Sequence, residues 1–309
     1  MTGLISINGE IQPAEQAKVP ALDRGFLFGD NIFEAMVGFS GQIIDTTAHL
    51  ERLEKSAERI RLTLPWSQDL LRFELETLAQ QAQFPKAFIR LVITRGCGSG
   101  LRVPETRQPL RVGYCLPSPP VEEDKWERGL RVKIQQSKVY SQKSAAKTGN
   151  YLESIVAIDT VHHDHYDDVL WTNKNGEVTE ASTANVFFVA REGSGIYLVT
   201  PPVESGILEG ITRMRILQLL KEAGIPVYEQ KVQVDEIARY DEAFLSSSVK
   251  GLLPICQINS SPLYTARKNA VFHQVRRLYD AYIASQLGYY VNWNTGVTQG
   301  GSSQNPNKH

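Results

Sequence analysis

The chain has 309 residues, 33 Lys+Arg against 34 Asp+Glu, a net charge of -1, and 42% hydrophobic against 22% charged residues. Such a chain builds a large core that often divides into two domains, and it exerts no long-range pull on nucleic acid or an anionic membrane. Three cysteines (Cys97, Cys115 and Cys256) stand at no metal or redox-motif spacing, which excludes a disulfide-stapled scaffold and points to the reducing cytosol, hence a cytoplasmic protein.

The first residues, MTGLISINGEIQPAEQ, lack a basic n-region and a long apolar run, so no signal peptide is expected there. Asn8-Gly9 predicts a hairpin within 3–12. NIFEAMVGF and QIID read as strands joined at Ser40-Gly41. From Thr46 the period changes. Leu50, Leu53, Ala57, Ile60 and Leu62 set among charges predict an amphipathic helix to Leu62, capped at Thr46 or Thr47. Trp66–Gln83 predicts a second helix, and 87–96 and 110–117 predict strands. The Pro-rich, acidic stretch at 117–124 reads as an interdomain linker.

Beyond the linker, 129–136 predicts a strand and 150–162 a helix. DVLWTN and EVTEASTANVFFVA predict strands on either side of Asn175-Gly176. IYLVTPP is a further strand, Ile211–Ala223 a helix, DEAFLSSS a strand and Ala266–Gln286 a long helix. The division is a small domain 1–118, a linker 119–126, a large domain 127–290 and a disordered tail 291–309. The class is α+β. No regular βαβ alternation and no GxGxxG after a strand supports a dinucleotide or P-loop fold.

Chemistry-bearing residues stand out against this frame. Lys147 lies between a strand and a helix, where a desolvated amine can form a Schiff base; Lys143 is equally eligible by pattern. Glu180 sits in an unusually polar strand beside Thr179, Ser182, Thr183 and Asn185, as for a site-lining row. Gly210-Ile211-Thr212 opens a helix and offers unpaired amides to an anion. Ser246, Ser247 and Ser248 end a strand with hydroxyls, and Arg52 offers a bidentate guanidinium. Together these point to a phosphate-bearing aromatic aldehyde cofactor. His162, His163 and His165 mix with Asp164, Asp167 and Asp168 at no known ligand spacing, so no metal site is expected. Cys97 has no evident base nearby in sequence.

These residues fall within a recognisable series: DRGFLFGDNIFEAM (23–36), HLERLEKSA (49–57), RLVITRG (90–96), KTGNYLESIVA (147–157), GEVTEASTANVFFV (176–189), GILEGITR (206–213) and EAFLSSSVKGLLPI (242–255). The series resembles the class IV, fold-type IV pyridoxal-phosphate enzymes, which include branched-chain aminotransferases, D-amino-acid aminotransferases and aminodeoxychorismate lyases. The resemblance implies a small α/β N-terminal domain and a larger, β-barrel-like C-terminal domain with helices. It implies pyridoxal 5'-phosphate as cofactor, an amino donor and a 2-oxo acid as substrates, and a homodimer with its site near the interface.

By motif, Lys147 would be the Schiff-base lysine and proton shuttle. Glu180 would face the pyridine nitrogen. Arg52, Ile211, Thr212, Ser247 and Ser248 would hold the phosphate, and Tyr151 would touch the 3-hydroxyl. Arg90, Arg95 and Arg102 are candidates for the substrate carboxylate, and Phe33 and Phe39 for apolar walls. SSSVKGLLPI looks more like the lyase branch, so release of 4-aminobenzoate and pyruvate stands as the alternative to transamination. A non-enzymatic binding protein on the same fold is the remote one.

Overall fold

The computed structural model describes residues 3–103, 108–137, 146–193 and 195–297. Lys143 lies outside them. The first half builds one antiparallel sheet from β1 (Leu4–Ile7), β2 (Glu10–Pro13), β3 (Asn31–Phe39), β4 (Gln42–Ile43), β5 (Ala87–Thr94) and β6 (Leu110–Pro117), in the order β2-β1-β6-β5-β3-β4. The Asn8-Gly9 turn has both residues at positive φ, 52° and 98°, the twist a two-residue hairpin requires. A short α1 (Arg24–Phe28), absent from the sequence reading, precedes β3. Helices α2 (Thr46–Arg59) and α3 (Gln68–Ala82) cover one face of the sheet.

The alternation in β3 decides what each residue meets. Ile32 and Met36 face α2 and α3, while Val37 and Phe39 join the other core. Glu34 shares the apolar face with Ile32 and Met36 and is fully buried.

A short α4 (Glu123–Glu127) lies in the crossing to the second half. There β7 (Leu130–Gln136), β8 (Asp168–Thr172), β9 (Val178–Ala181), β10 (Asn185–Glu192), β11 (Gly195–Thr200), β12 (Val227–Glu229), β13 (Glu242–Ser247) and β14 (Gly251–Ile258) form a mixed sheet. Its order is β12-β11-β10-β13-β14-β7-β8-β9, with β15 (Ser261–Pro262) pairing β14. The pairs β7/β8, β7/β14 and β11/β12 are parallel. Helices α5 (Leu152–His163), α6 (Ile211–Glu222) and α7 (Val271–Leu287) complete it. No helix among the described residues is long and apolar enough to cross a membrane.

Two expectations are corrected. EVTEASTANVFFVA is not one strand. It breaks between β9 and β10 in a turn closed by Ala181 N–H to Ala184 O at 2.8 Å, which places Ser182 and Thr183 on a cleft wall. The tail expected from 291 is not detached at its start: Trp293 is 4% exposed and packs on Phe39 and Tyr279. Residues 298–309 lie outside the described residues.

Candidate active site

Between the two sheets lies a cleft of about 620 Å³. Lys147 reaches it from a backbone held at both polar groups. Its carbonyl accepts the Phe33 N–H at 2.9 Å, and its N–H donates to Ser56 Oγ at 3.2 Å. The Lys147 ammonium lies 4.6 Å from the Phe33 ring centre and has no hydrogen-bond partner among the described residues. Burial pushes its amine down to about 8, the Arg52 charge adds to this, and Glu34 and Glu180 oppose it.

Glu180, on β9, forms another wall. Its Oε2 accepts the Leu208 N–H and the Asn185 side-chain amide, both at 3.1 Å. No partner among the described residues engages Oε1. Burial raises this carboxyl to about 7, although the Leu208 bond and the charges of Lys147, Arg52 and Arg213 pull downward.

One end of the cleft is rich in hydrogen-bond donors. α6 starts at Ile211 with no side-chain cap, so its first amides are unpaired within the helix and favour an anion. Gly210 precedes it, and a Cβ there would collide with the Asn185 side chain. Thr212 Oγ1 and Ser248 Oγ approach to 3.4 Å. Ser246 Oγ is buried without a hydrogen-bond partner among the described residues. Arg52 enters from α2 with Nη1 on Glu209 O at 2.8 Å.

Arg52 is fixed by residues that the sequence reading missed. Its Nε and Nη2 donate to the two Glu34 oxygens at 2.9 and 2.6 Å, and His49 Nδ1 meets Glu34 Oε2 at 2.7 Å. Burial alone would raise the Glu34 carboxyl. The Arg52 charge, with hydrogen bonds from Arg52 and His49, outweighs it and holds the group at about 2. His49, also fully buried, is shifted down by that burial, so it is neutral at pH 7 and donates through Nδ1–H. The missed signal was positional: a glutamate between Ile32 and Met36 needs a cation, and His49, Arg52 and Ser56 share one face of α2. Glu34→Ala would leave Arg52 buried and unpaired. It is expected to destabilise the chain by about 3 kcal/mol in urea unfolding; a loss below about 1 kcal/mol would show that the pair holds nothing in place.

Of the other candidates, Tyr151, Ser247, Phe33 and Arg90 line the cleft. The Arg90 guanidinium lies 4.0 Å from the Phe33 ring centre, on a cleft wall, with no carboxylate partner among the described residues. Three candidates are elsewhere. Phe39 is fully buried in the core against Trp293, because β3 runs out of the cleft before its last residue. Arg95 pairs with Asp30 and donates to the carbonyls of Ile60 and Arg61 at 3.0 Å, closing the end of α2. The Arg102 side chain is exposed and lines no part of this cleft.

The model of amino-transferase class IV matches residues 31–258. A putative branched-chain-amino-acid aminotransferase of Methanocaldococcus jannaschii is 31% identical over 257 residues, covering 82% of this chain and 88% of that protein. A D-alanine aminotransferase of Staphylococcus aureus is 28% identical, covering 91% and 98%. The crystal structure of the Escherichia coli branched-chain amino acid aminotransferase superposes with a TM-score of 0.82 at 25% identity, covering 92% and 94%. The chain belongs to the class IV aminotransferases.

Proposed function

We propose that this chain transfers an amino group between an amino acid, or a related primary amine, and a 2-oxo acid with pyridoxal 5'-phosphate as cofactor. The observation that carries the reading is the Lys147 amine, desolvated, without a hydrogen-bond partner among the described residues and facing Glu180 across one cleft. The residues present fit the cofactor. The unpaired Ser246 hydroxyl, the uncapped α6 N-terminus and Arg52 converge as a cup for a phosphate.

The cofactor supplies an electron sink for the pair left when a substrate C–H bond breaks. The protein does the rest. Lys147 Nζ takes the proton from the substrate Cα and returns one. Glu180 Oε1 would accept a hydrogen bond from a protonated ring nitrogen. Arg52, the Ile211 and Thr212 amides, Ser247 and Ser248 would hold the phosphate. Tyr151 would bond the ring hydroxyl, Arg90 would hold a substrate carboxylate, and Phe33 lies as an apolar wall between Arg90 and Lys147.

The active unit is a homodimer. α1 exposes Phe26, Leu27 and Phe28, and α5 exposes Leu152, Ile155 and Val156. The residue after α1 and the segment leading into α5 lie together, with the Asn150 side chain against Gly29. Ile155 also lines the cleft, so a second copy covering this apolar face would border the site. Light scattering should give twice the chain mass; a monomer at micromolar concentration would remove this part of the reading.

The decisive assay supplies pyridoxal phosphate and a panel of donors in both enantiomers, with and without a 2-oxo acid. Transamination requires the acceptor. Product release without it would identify the lyase reaction instead, and no turnover in either arm would reject both.

A further inference from the structure

We propose that the C-terminal segment from Tyr289 to Val297 is a clasp, and that Trp293 within it positions the turn between β13 and β14 on the cleft wall. The segment touches both halves of the molecule. From the first half, Lys86 Nζ donates to the Trp293 carbonyl at 2.7 Å, Phe39 meets the indole edge-on at 5.6 Å, and the Pro85 backbone lies against Gly296. From the second, Tyr279 stacks on the indole at 5.8 Å and Asp280 Oδ1 accepts its N–H at 2.8 Å. Trp126, in the crossing, donates its indole N–H to Asn294 Oδ1 at 2.6 Å.

Two features set this apart from incidental packing. Lys86 is 5% exposed and has no carboxylate partner among the described residues. An ammonium is costly to desolvate, so its bond to the Trp293 carbonyl is what makes that burial tolerable. Gly251 lies flat against the same indole. It has φ +67°, and a Cβ added there would stand 3.2 Å from three ring carbons. Both the backbone conformation and the closeness of the ring demand glycine.

Gly251 directly follows Ser247, Ser248, Val249 and Lys250, all of which line the cleft. The indole is therefore the floor beneath that turn. Without it, Gly251 loses its support, and Ser248 is free to move away from Thr212. Trp293 is a positioning residue acting through Gly251. The halves are also tied separately, since Asp45 Oδ1 accepts from Arg215 and Tyr282 at 2.7 and 2.6 Å. Loss of the clasp should accordingly shift the site without unfolding the chain.

The proposal rests on the reading of the cleft as a pyridoxal phosphate site, and the test separates the two. Binding of pyridoxal phosphate to the cofactor-free chain is titrated by its absorbance at 25 °C. Trp293→Ala is expected to weaken binding about tenfold, a difference of about 1.4 kcal/mol. Trp293→Phe, which keeps a ring beneath Gly251, should recover most of it. If Trp293→Ala does not fold, Lys86→Met replaces it and should weaken binding about threefold. A folded Trp293→Ala or Lys86→Met variant that binds as tightly as wild type, whatever its thermal midpoint, overturns the clasp. A wild-type chain that binds no pyridoxal phosphate overturns the reading of the cleft instead.

Discussion

Lys147→Ala is expected to lower transamination by about 10³-fold or more, while the unfolding midpoint of the cofactor-free chain stays level or rises. The two effects share one cause. The folded chain holds the Lys147 amine at about 8, against an ordinary 10.5. A lysine with a depressed folded pKa is harder to charge in the native state than in the unfolded one, so at pH 7 its ammonium opposes folding. Removing it relieves that penalty and removes the proposed proton-transfer group together.

Lys147→Arg makes the test sharper. Arginine keeps the positive charge near Glu34 and Glu180 but does not release its proton at working pH. If Lys147 acts by moving a proton, the arginine variant is as inactive as the alanine variant. Turnover above about one per cent in either would assign the chemistry to another group. The pinned backbone keeps the comparison clean, because the Phe33 N–H and Ser56 hydroxyl bond main-chain atoms that both variants retain.

How far the sequence carried the argument depended on the range of the interactions involved. The Asn8-Gly9 hairpin, the two-strand unit at Ser40-Gly41 and the amphipathic α2 are local, and local chemistry encodes them. The α+β class followed from the lack of βαβ alternation. Strand periodicity assigned faces but not what covers them. Phe33 and Phe39 lie on the same face of β3, yet one meets Lys147 and the other Trp293. Nothing within nine residues of strand distinguishes a cleft from a core when the covering layer comes from residues 279–293.

The same limit explains Arg95, whose partners Ile60 and Arg61 lie at the far end of α2. Composition misled over residues 291–297. Polar residues surround Trp293, but its indole is buried against Phe39 and Tyr279 and ties that stretch down. That Lys147, Glu180, Arg52 and Thr212 would line one cleft was readable from motif order. Glu34 was not singled out, since its meaning depends on α2 lying over β3.

Glu180→Gln is expected to lower turnover by about 10²-fold, and it carries a pH signature independent of activity. In the folded chain the Glu180 carboxyl titrates at about 7, above its ordinary 4.5, because burial dominates the Leu208 hydrogen bond and the neighbouring cations. The unfolded chain therefore releases this proton first as pH rises. The stabilisation from Glu180 is complete below about pH 4.5 and is lost as pH climbs through 7. Glutamine has no proton to lose there, keeps an oxygen for Leu208, and is spared that decline. Thermal midpoints of the cofactor-free chain at pH 5 and pH 7.5 should show the variant gaining on wild type as pH rises. With cofactor bound, the balance reverses: a carboxylate facing a protonated ring nitrogen is favourable, so wild type should gain more from pyridoxal phosphate than the variant does. An equal gain in both, together with turnover within threefold of wild type, would remove Glu180 from the ring nitrogen and leave it only the Leu208 and Asn185 bonds.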